Sequence, residues 1–151
     1  MNDENGDTYL PFGLPSPVPE QDGLSSPFWE GLRQSRLLIQ RCNHCNTWQH
    51  PAEWICHACH AFELSWEEVE PHGVIYSWAR VWHPAHPVIV GATPYLVALV
   101  ELPQACNVRL VGNLLGPATQ PVIIGSTVQG VFECHADAQT PYGLLQWSAA
   151  K

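Results

Sequence analysis

Residues 42–59 carry two Cys-x-x-Cys pairs, Cys42/Cys45 and Cys56/Cys59, with ten residues between them. No other feature restricts the fold of this chain as tightly. Each pair puts two sulfurs on one side of a tight turn, and two such turns facing each other close a tetrahedron suited to Zn2+. A ribbon of about twenty residues buries too little apolar surface to fold unaided, so the metal has to supply the stability. Four thiolates leave no open coordination position, which points to a structural clip and away from a catalytic zinc. A redox pair would sit at a helix N-terminus in a thioredoxin-like pattern, and the sequence shows none. His44, His50, His57 and His60 lie in the same stretch as rival ligands; with four cysteines present they are expected to face solvent or to support the ligands from outside. The residue after each pair should adopt φ > 0, which suits Asn46 and suits His60 less well.

Metal ligation requires reduced thiols. The N-terminus "MNDENGDTYL" has neither the basic start nor the apolar stretch of a secretory signal, and no apolar run reaches the length of a membrane span. A cytoplasmic location is therefore expected, where paired cysteines serve as ligands rather than disulfides.

Four segments are expected. Residues 1–24 form an acidic, then proline-rich extended arm, with prolines at 11, 15, 17 and 19. Residues 25–41 hold a short helix and a lead-in strand: Ser26 is a plausible N-cap, Pro27 suits the first helical position, Glu30 the first turn, and Gly31 limits the length. Residues 42–60 are the ribbon, whose "WQHPAEW" tip carries Trp48 and Trp54 as a docking surface. Residues 61–151 are β. Candidate strands are 73–82, 95–102, 108–115, 127–135 and 143–148, separated by Gly/Pro-rich breaks. "LVALVEL" is apolar on both faces and should be central and covered. In 127–134, Val128, Gly130, Phe132 and Cys134 share the apolar face, which makes Cys134 core filler, and Thr127, Gln129 and Glu133 share the other. Five short strands fit a small closed barrel of the OB type. The chain is thus mainly β: an extended arm and short helix, a zinc ribbon, and a C-terminal five-stranded OB-fold barrel.

Six Lys+Arg oppose fourteen Asp+Glu, a net charge of −8, which argues against affinity built on phosphate contacts. Only 13% of residues are charged while seven are Trp, a pattern that favours a protein partner over a bare monomer surface.

The order "PFWEGL", "LLIQRC", paired knuckles, "GVIYSW", "PYLVALVEL", "GSTVQGVFE" over residues 25–148 resembles the acyl-CoA-associated zinc-ribbon/OB-fold family, catalogued as domain of unknown function 35. The resemblance implies a rubredoxin-like ribbon ahead of the OB barrel. It also implies a small subunit paired with a thiolase-fold enzyme, in an assembly such as a heterotetramer. Such enzymes carry out thiolysis, Claisen-type acyl transfer or retro-aldol cleavage of CoA thioesters. The cofactor is then a structural zinc, and the acyl-CoA is substrate of the complex. Two departures stand out: the glycines after both knuckles are missing, and "PQACN" puts Cys106 where an acidic-Gly turn is common.

On this basis Trp48, Trp54, Arg80, Trp82, His83, His86 and Arg109 are candidate contacts to the partner or to acyl-CoA. Trp82, His83 and His86 lie at the base of the apolar loop "VWHPAHPVIVGATPY", which would cover the partner's active-site entrance, line an acyl channel, or simply flap over its own barrel. All five arginines are possible phosphate ligands or surface ion-pair formers. Catalytic residues are not expected. Cys106 and Cys134 with His72, His83, His86 or His135 as bases form no recognisable nucleophilic arrangement in sequence, and no nucleophile elbow, dinucleotide fingerprint or P-loop is present. The contrasting reading is a single-stranded nucleic-acid-binding OB module, which would need a basic groove interleaved with aromatics.

Overall fold

The computed structural model describes residues 16–19 and 22–150. Most of the expected arm lies outside the described residues. Helix α1 spans Ser26–Arg33, with Ser25 in the N-cap position, one residue ahead of the expected Ser26. Glu30 is not in the first turn; its carboxylate accepts from Arg33 and Gln34, on the following turn. Gly31 sits where a Cβ would meet the Arg36 carbonyl and the Leu38 side chain at 2.9 Å. The helix therefore packs directly on the turn that leaves it.

Two sheets follow. The first holds β1 (Leu38–Cys42), β2 (Trp48–Gln49) and β3 (Leu64–Glu68) in the antiparallel order β2-β1-β3. β3 is a strand beyond the five candidates, and it returns to pair with β1 along its whole length. The second sheet holds β4 (His72–Val81), β5 (Tyr95–Leu102), β6 (Val108–Asn113), β7 (Thr127–His135) and β8 (Tyr142–Ala149), ordered β6-β5-β4-β7-β8. These are the five expected strands, each within two residues of its expected ends. The sheet curls until Leu114 bridges Trp147 in parallel, the Leu115 N–H donates to the Trp147 carbonyl (2.7 Å), and the Asn113 N–H donates to Gln146 Oε1 (2.6 Å). That is a nearly closed barrel of OB type.

The core lies inside this barrel and under α1: Leu96, Ala98, Val100 and Leu102 of β5, Leu110, Val128 and Trp147, with Leu32, Leu37 and Ile39 closing one end. Each large apolar side chain buried there contributes about 1.5–3 kcal/mol. Gly143 allows the closure, since a Cβ would stand 2.5 Å from the Leu32 carbonyl.

Two sequence expectations fail here. β5 is central, but it is covered on one face only: Tyr95, Val97, Leu99 and Glu101 on the other face stay half-exposed. On β7 the alternation holds as far as Phe132 and then reverses in burial. Cys134 is exposed, and Glu133 is fully buried. Cys134 pairs with Gly143 beyond the end of the core and lies 4.0 Å from the Ser35 hydroxyl. Glu133 tolerates burial because both of its oxygens are satisfied, one by His135 Nε2 and one by the Gln146 amide, each at 2.7 Å.

Candidate metal centre and partner-facing surface

The two knuckles are one backbone device used twice. The Cys42 N–H donates to the Thr47 carbonyl and the Asn46 N–H to the Cys42 carbonyl. In the second knuckle the Cys56 N–H donates to Ala61 and the His60 N–H to the Cys56 carbonyl. Asn46 (φ 61°) and His60 (φ 62°) both take the left-handed conformation expected of them. The His44 and Ala58 N–H groups point at the sulfurs of Cys42 and Cys56, each at 3.4 Å. All four Sγ atoms lie within 4.8 Å of one another, with Cys42–Cys59 and Cys45–Cys56 at 3.6 Å. A tetrahedral Zn2+ with bonds of about 2.3 Å requires sulfurs about 3.8 Å apart, so the donor set fits.

The electrostatics agree. The Thr47 hydroxyl and backbone hold Cys45 down to about 6. Against the lowering effect of the Ala61 N–H, burial and the neighbouring sulfurs push Cys59 up to about 12. A cation among four sulfurs this close would offset the charge that thiolates bring together. Of the rival histidines, His44, His57 and His60 are exposed. His50 departs from the expectation: its ring lies 5.1 Å from that of Phe28, and burial lowers its pKa.

A buried glutamine pair, unforeseen in the sequence, holds the segment between the knuckles. Gln40 and Gln49 are each 4% exposed. Gln49 Nε2 donates to Gln40 Oε1 (2.7 Å) and to the Ile55 carbonyl (3.3 Å), and Gln49 Oε1 accepts from the His57 N–H (3.2 Å). Gln40 grips Glu53 through both its N–H and its carbonyl, at 3.0 Å. Two side chains thus stand in for the ladder that residues 50–57 lack. The only sequence signal is a Gln on each of two paired strands.

The candidate contact residues separate into two groups. Trp48 packs against the core with the Arg41 guanidinium 5.0 Å from its ring centroid. Trp54 is 58% exposed; Ile55 and Phe62, which flank the Cys56–Ala61 hydrogen bond, are also exposed. Trp82 and His83 are exposed. His86 caps its own loop, its Nδ1 accepting from the Val88 N–H, ahead of a single 3-10 segment over Pro87–Ala92. Ile89 anchors this loop while Val88 and Val90 stay exposed.

All five arginines are engaged. Arg33, Arg36, Arg41 and Arg109 pair with Glu30, Glu68, Glu67 and Glu101. Arg80 donates to the carbonyls of Ala118 and Gln120 and tethers the long loop before β7. A cleft of about 340 Å3 separates the ribbon (Trp48–Pro51, Glu53, His57) from the 106–108 turn, where exposed Cys106 and Asn107 both have positive φ. No helix among the described residues is long and apolar enough to cross a membrane.

A four-cysteine ribbon clamped to an OB barrel defines a zinc-ribbon/OB-fold protein. Family models described as the ChsH2 rubredoxin-like zinc ribbon domain and the ChsH2 C-terminal OB-fold domain match residues 29–65 and 66–133. Among solved structures, the Ltp2-ChsH2(DUF35) aldolase superposes with a TM-score of 0.76 at 34% identity, covering 90% of this chain and 100% of that one. The chain belongs to this ChsH2 (DUF35) family. A DUF35-family protein of unknown function from Sulfolobus solfataricus shares the fold, with a TM-score of 0.58 at 18% identity over 84% of this chain and 85% of that one. A probable enoyl-CoA hydratase alpha subunit from Thermomonospora curvata is 41% identical over 115 residues. That match covers 76% of this chain and 34% of the relative, so the chain spans about a third of that protein's length.

Proposed function

We propose that this chain is a non-catalytic accessory subunit of a hetero-oligomeric enzyme whose catalytic subunit has the thiolase fold and acts on a CoA thioester. The observation that carries the reading is the contrast on its surface: every arginine is tied to a partner in its own chain, while Trp54, Phe62, Trp82, Val90 and Val111 stand in solvent. Such a surface suits a protein interface better than a polyanion. It also leaves the CoA phosphates to the partner's side chains. Zinc held by Cys42, Cys45, Cys56 and Cys59 serves as a structural clip, and reduced thiols fit a cytoplasmic setting. Retro-aldol cleavage of a 3-hydroxyacyl-CoA is favoured over thiolysis or Claisen transfer, because the solved relative is named an aldolase. The enoyl-CoA hydratase name of the other relative supports the thioester class. Trp54, Trp82 and His83 remain available as contacts, whereas Trp48, Arg80, His86 and Arg109 are committed within the chain.

The test is co-expression with Ltp2, the subunit named with ChsH2 in the solved relative, followed by size-exclusion chromatography. Co-elution as one species, such as a heterotetramer, is expected. Separate elution of the two chains would overturn the reading.

A further inference from the structure

The outer face of the barrel between β4, β5 and β6 can be written out from the strand register. One cross-strand row is Ser77–Leu99–Val111, the next is Ala79–Val97–Asn113, and the third is Val81–Tyr95. These residues share a side because directly paired residues of antiparallel strands point the same way. That side is outward, since the alternate set, Leu96, Ala98 and Val100, is buried in the core. A solvent-facing sheet surface is ordinarily polar. This one carries no charge in any of the three rows, and Val111, at its corner on the edge strand β6, is 67% exposed. At one end the next row is Glu101–Arg109, which neutralises itself: Arg109 donates twice to Glu101 Oε1 (3.0 and 2.8 Å) and lies 3.5 Å over the Tyr76 ring. At the other end stands the loop with exposed Trp82, Val88 and Val90.

We propose that this face, together with the 82–94 loop, is the surface on which the catalytic subunit docks. The proposal rests on the accessory-subunit reading above and names the face that reading leaves open. The second and third strands of an OB barrel, with the loop after the first, are where such folds take their ligands; here they correspond to β5, β6 and residues 82–94. The charge pattern selects the occupant. A neutral apolar face bordered by a self-compensated ion pair offers nothing to a polyanion and matches an uncharged apolar face of another protein. On its own the patch is too small for any stable partner, a second copy included. Three strands at about 4.8 Å and three rows at about 6.8 Å give about 290 Å2, whereas a stable complex uses about 800 Å2 from each partner. The face is therefore the apolar centre of a larger footprint, and the occupant must reach over the 82–94 loop as well.

Val111→Asp and Ala79→Asp place a carboxylate at two exposed positions of the face; Thr140→Asp places one at an exposed position in the turn between β7 and β8, at the end of β7 remote from β4. Affinity for Ltp2 is measured by titration calorimetry, with zinc content and thermal midpoint checked for each variant. The expected result is at least tenfold weaker binding for both face variants, with Thr140→Asp equal to the unchanged chain. Face variants that bind as tightly as the unchanged chain would overturn the proposal and leave the accessory role intact. An unchanged chain that fails to bind Ltp2 would overturn that role and the proposal with it. A self-dimer of the unchanged chain that Val111→Asp converts to monomer would assign the face to a second copy and overturn the proposal as well.

Discussion

Replacing Gln49 with leucine tests whether the buried glutamine pair, as well as the thiolates, builds the metal centre. The side chain is 4% exposed and makes three hydrogen bonds, to Gln40, to the Ile55 carbonyl and from the His57 N–H. Each bond contributes about 1 kcal/mol net, so Gln49→Leu loses about 3 kcal/mol. The leucine regains about 1 kcal/mol by burying apolar carbon, leaving a net loss of about 2 kcal/mol. The loop it anchors carries Cys56 into position, and metal binding and folding of a ribbon are one equilibrium. The loss should therefore appear as about 30-fold weaker apparent zinc affinity. Competition with a chromophoric chelator at constant pH reads this directly. Gln129→Leu is the control: Gln129 is exposed, makes one side-chain bond, to the Pro71 carbonyl, and should change affinity by less than about twofold. A Gln49→Leu affinity within about twofold of the unchanged chain would refute the assignment of the clamp.

Three further outcomes are expected. Cys56→Ser should drop metal content, measured by elemental analysis, well below one zinc per chain, while Cys134→Ser, at an exposed position, should leave both metal and stability unchanged. His135→Ala should destabilise the chain to denaturant by about 2–4 kcal/mol, combining a hydrogen bond to the fully buried Glu133 carboxylate with the stack on Tyr142 (4.4 Å, 12°); a loss below about 1 kcal/mol would contradict the buried network. Burial lowers the His50 pKa from 6.5, so as pH falls below that value the unfolded chain takes up a proton that the folded chain refuses, and stability drops. His50→Phe should flatten the fall of the thermal midpoint over that range, and an unchanged slope would refute it.

The parts of this fold that were legible in the sequence are those with a strict local rule. Knuckle spacing and the positive-φ residues Asn46 and His60 follow from the geometry of two tight turns around one ion. The barrel strands follow from β-branched runs bounded by turn residues. What the sequence concealed depends on neighbours distant in the chain. Glu133 lies on the polar side of its strand by alternation, yet it is buried because two side chains serve its carboxylate: His135, two residues on along the same face, and Gln146, which only the pairing with β8 brings there. Cys134 looks like core by the same alternation, but its strand outruns the core at Gly143. The apolar outer side of "LVALVEL" suggested a covered strand, and only the register with Ala79 and Val111 shows which part of the surface it leaves open. The sequence left the arginines between phosphate ligands and surface ion-pair formers; the structure sets four of them against carboxylates and Arg80 against backbone carbonyls. Gln40 and Gln49 left no more trace than a glutamine on each of two strands, because their role is to satisfy a backbone segment rather than to form an element.

The most direct test of the accessory role is turnover of a 3-hydroxyacyl-CoA thioester, followed by aldehyde or ketone release, with this chain alone, Ltp2 alone, and both together. The account predicts no turnover by this chain, and cleavage by the pair that exceeds Ltp2 alone by at least about tenfold, a change of about 1.4 kcal/mol in barrier. Cleavage by this chain alone, or full activity of Ltp2 without it, would contradict the account.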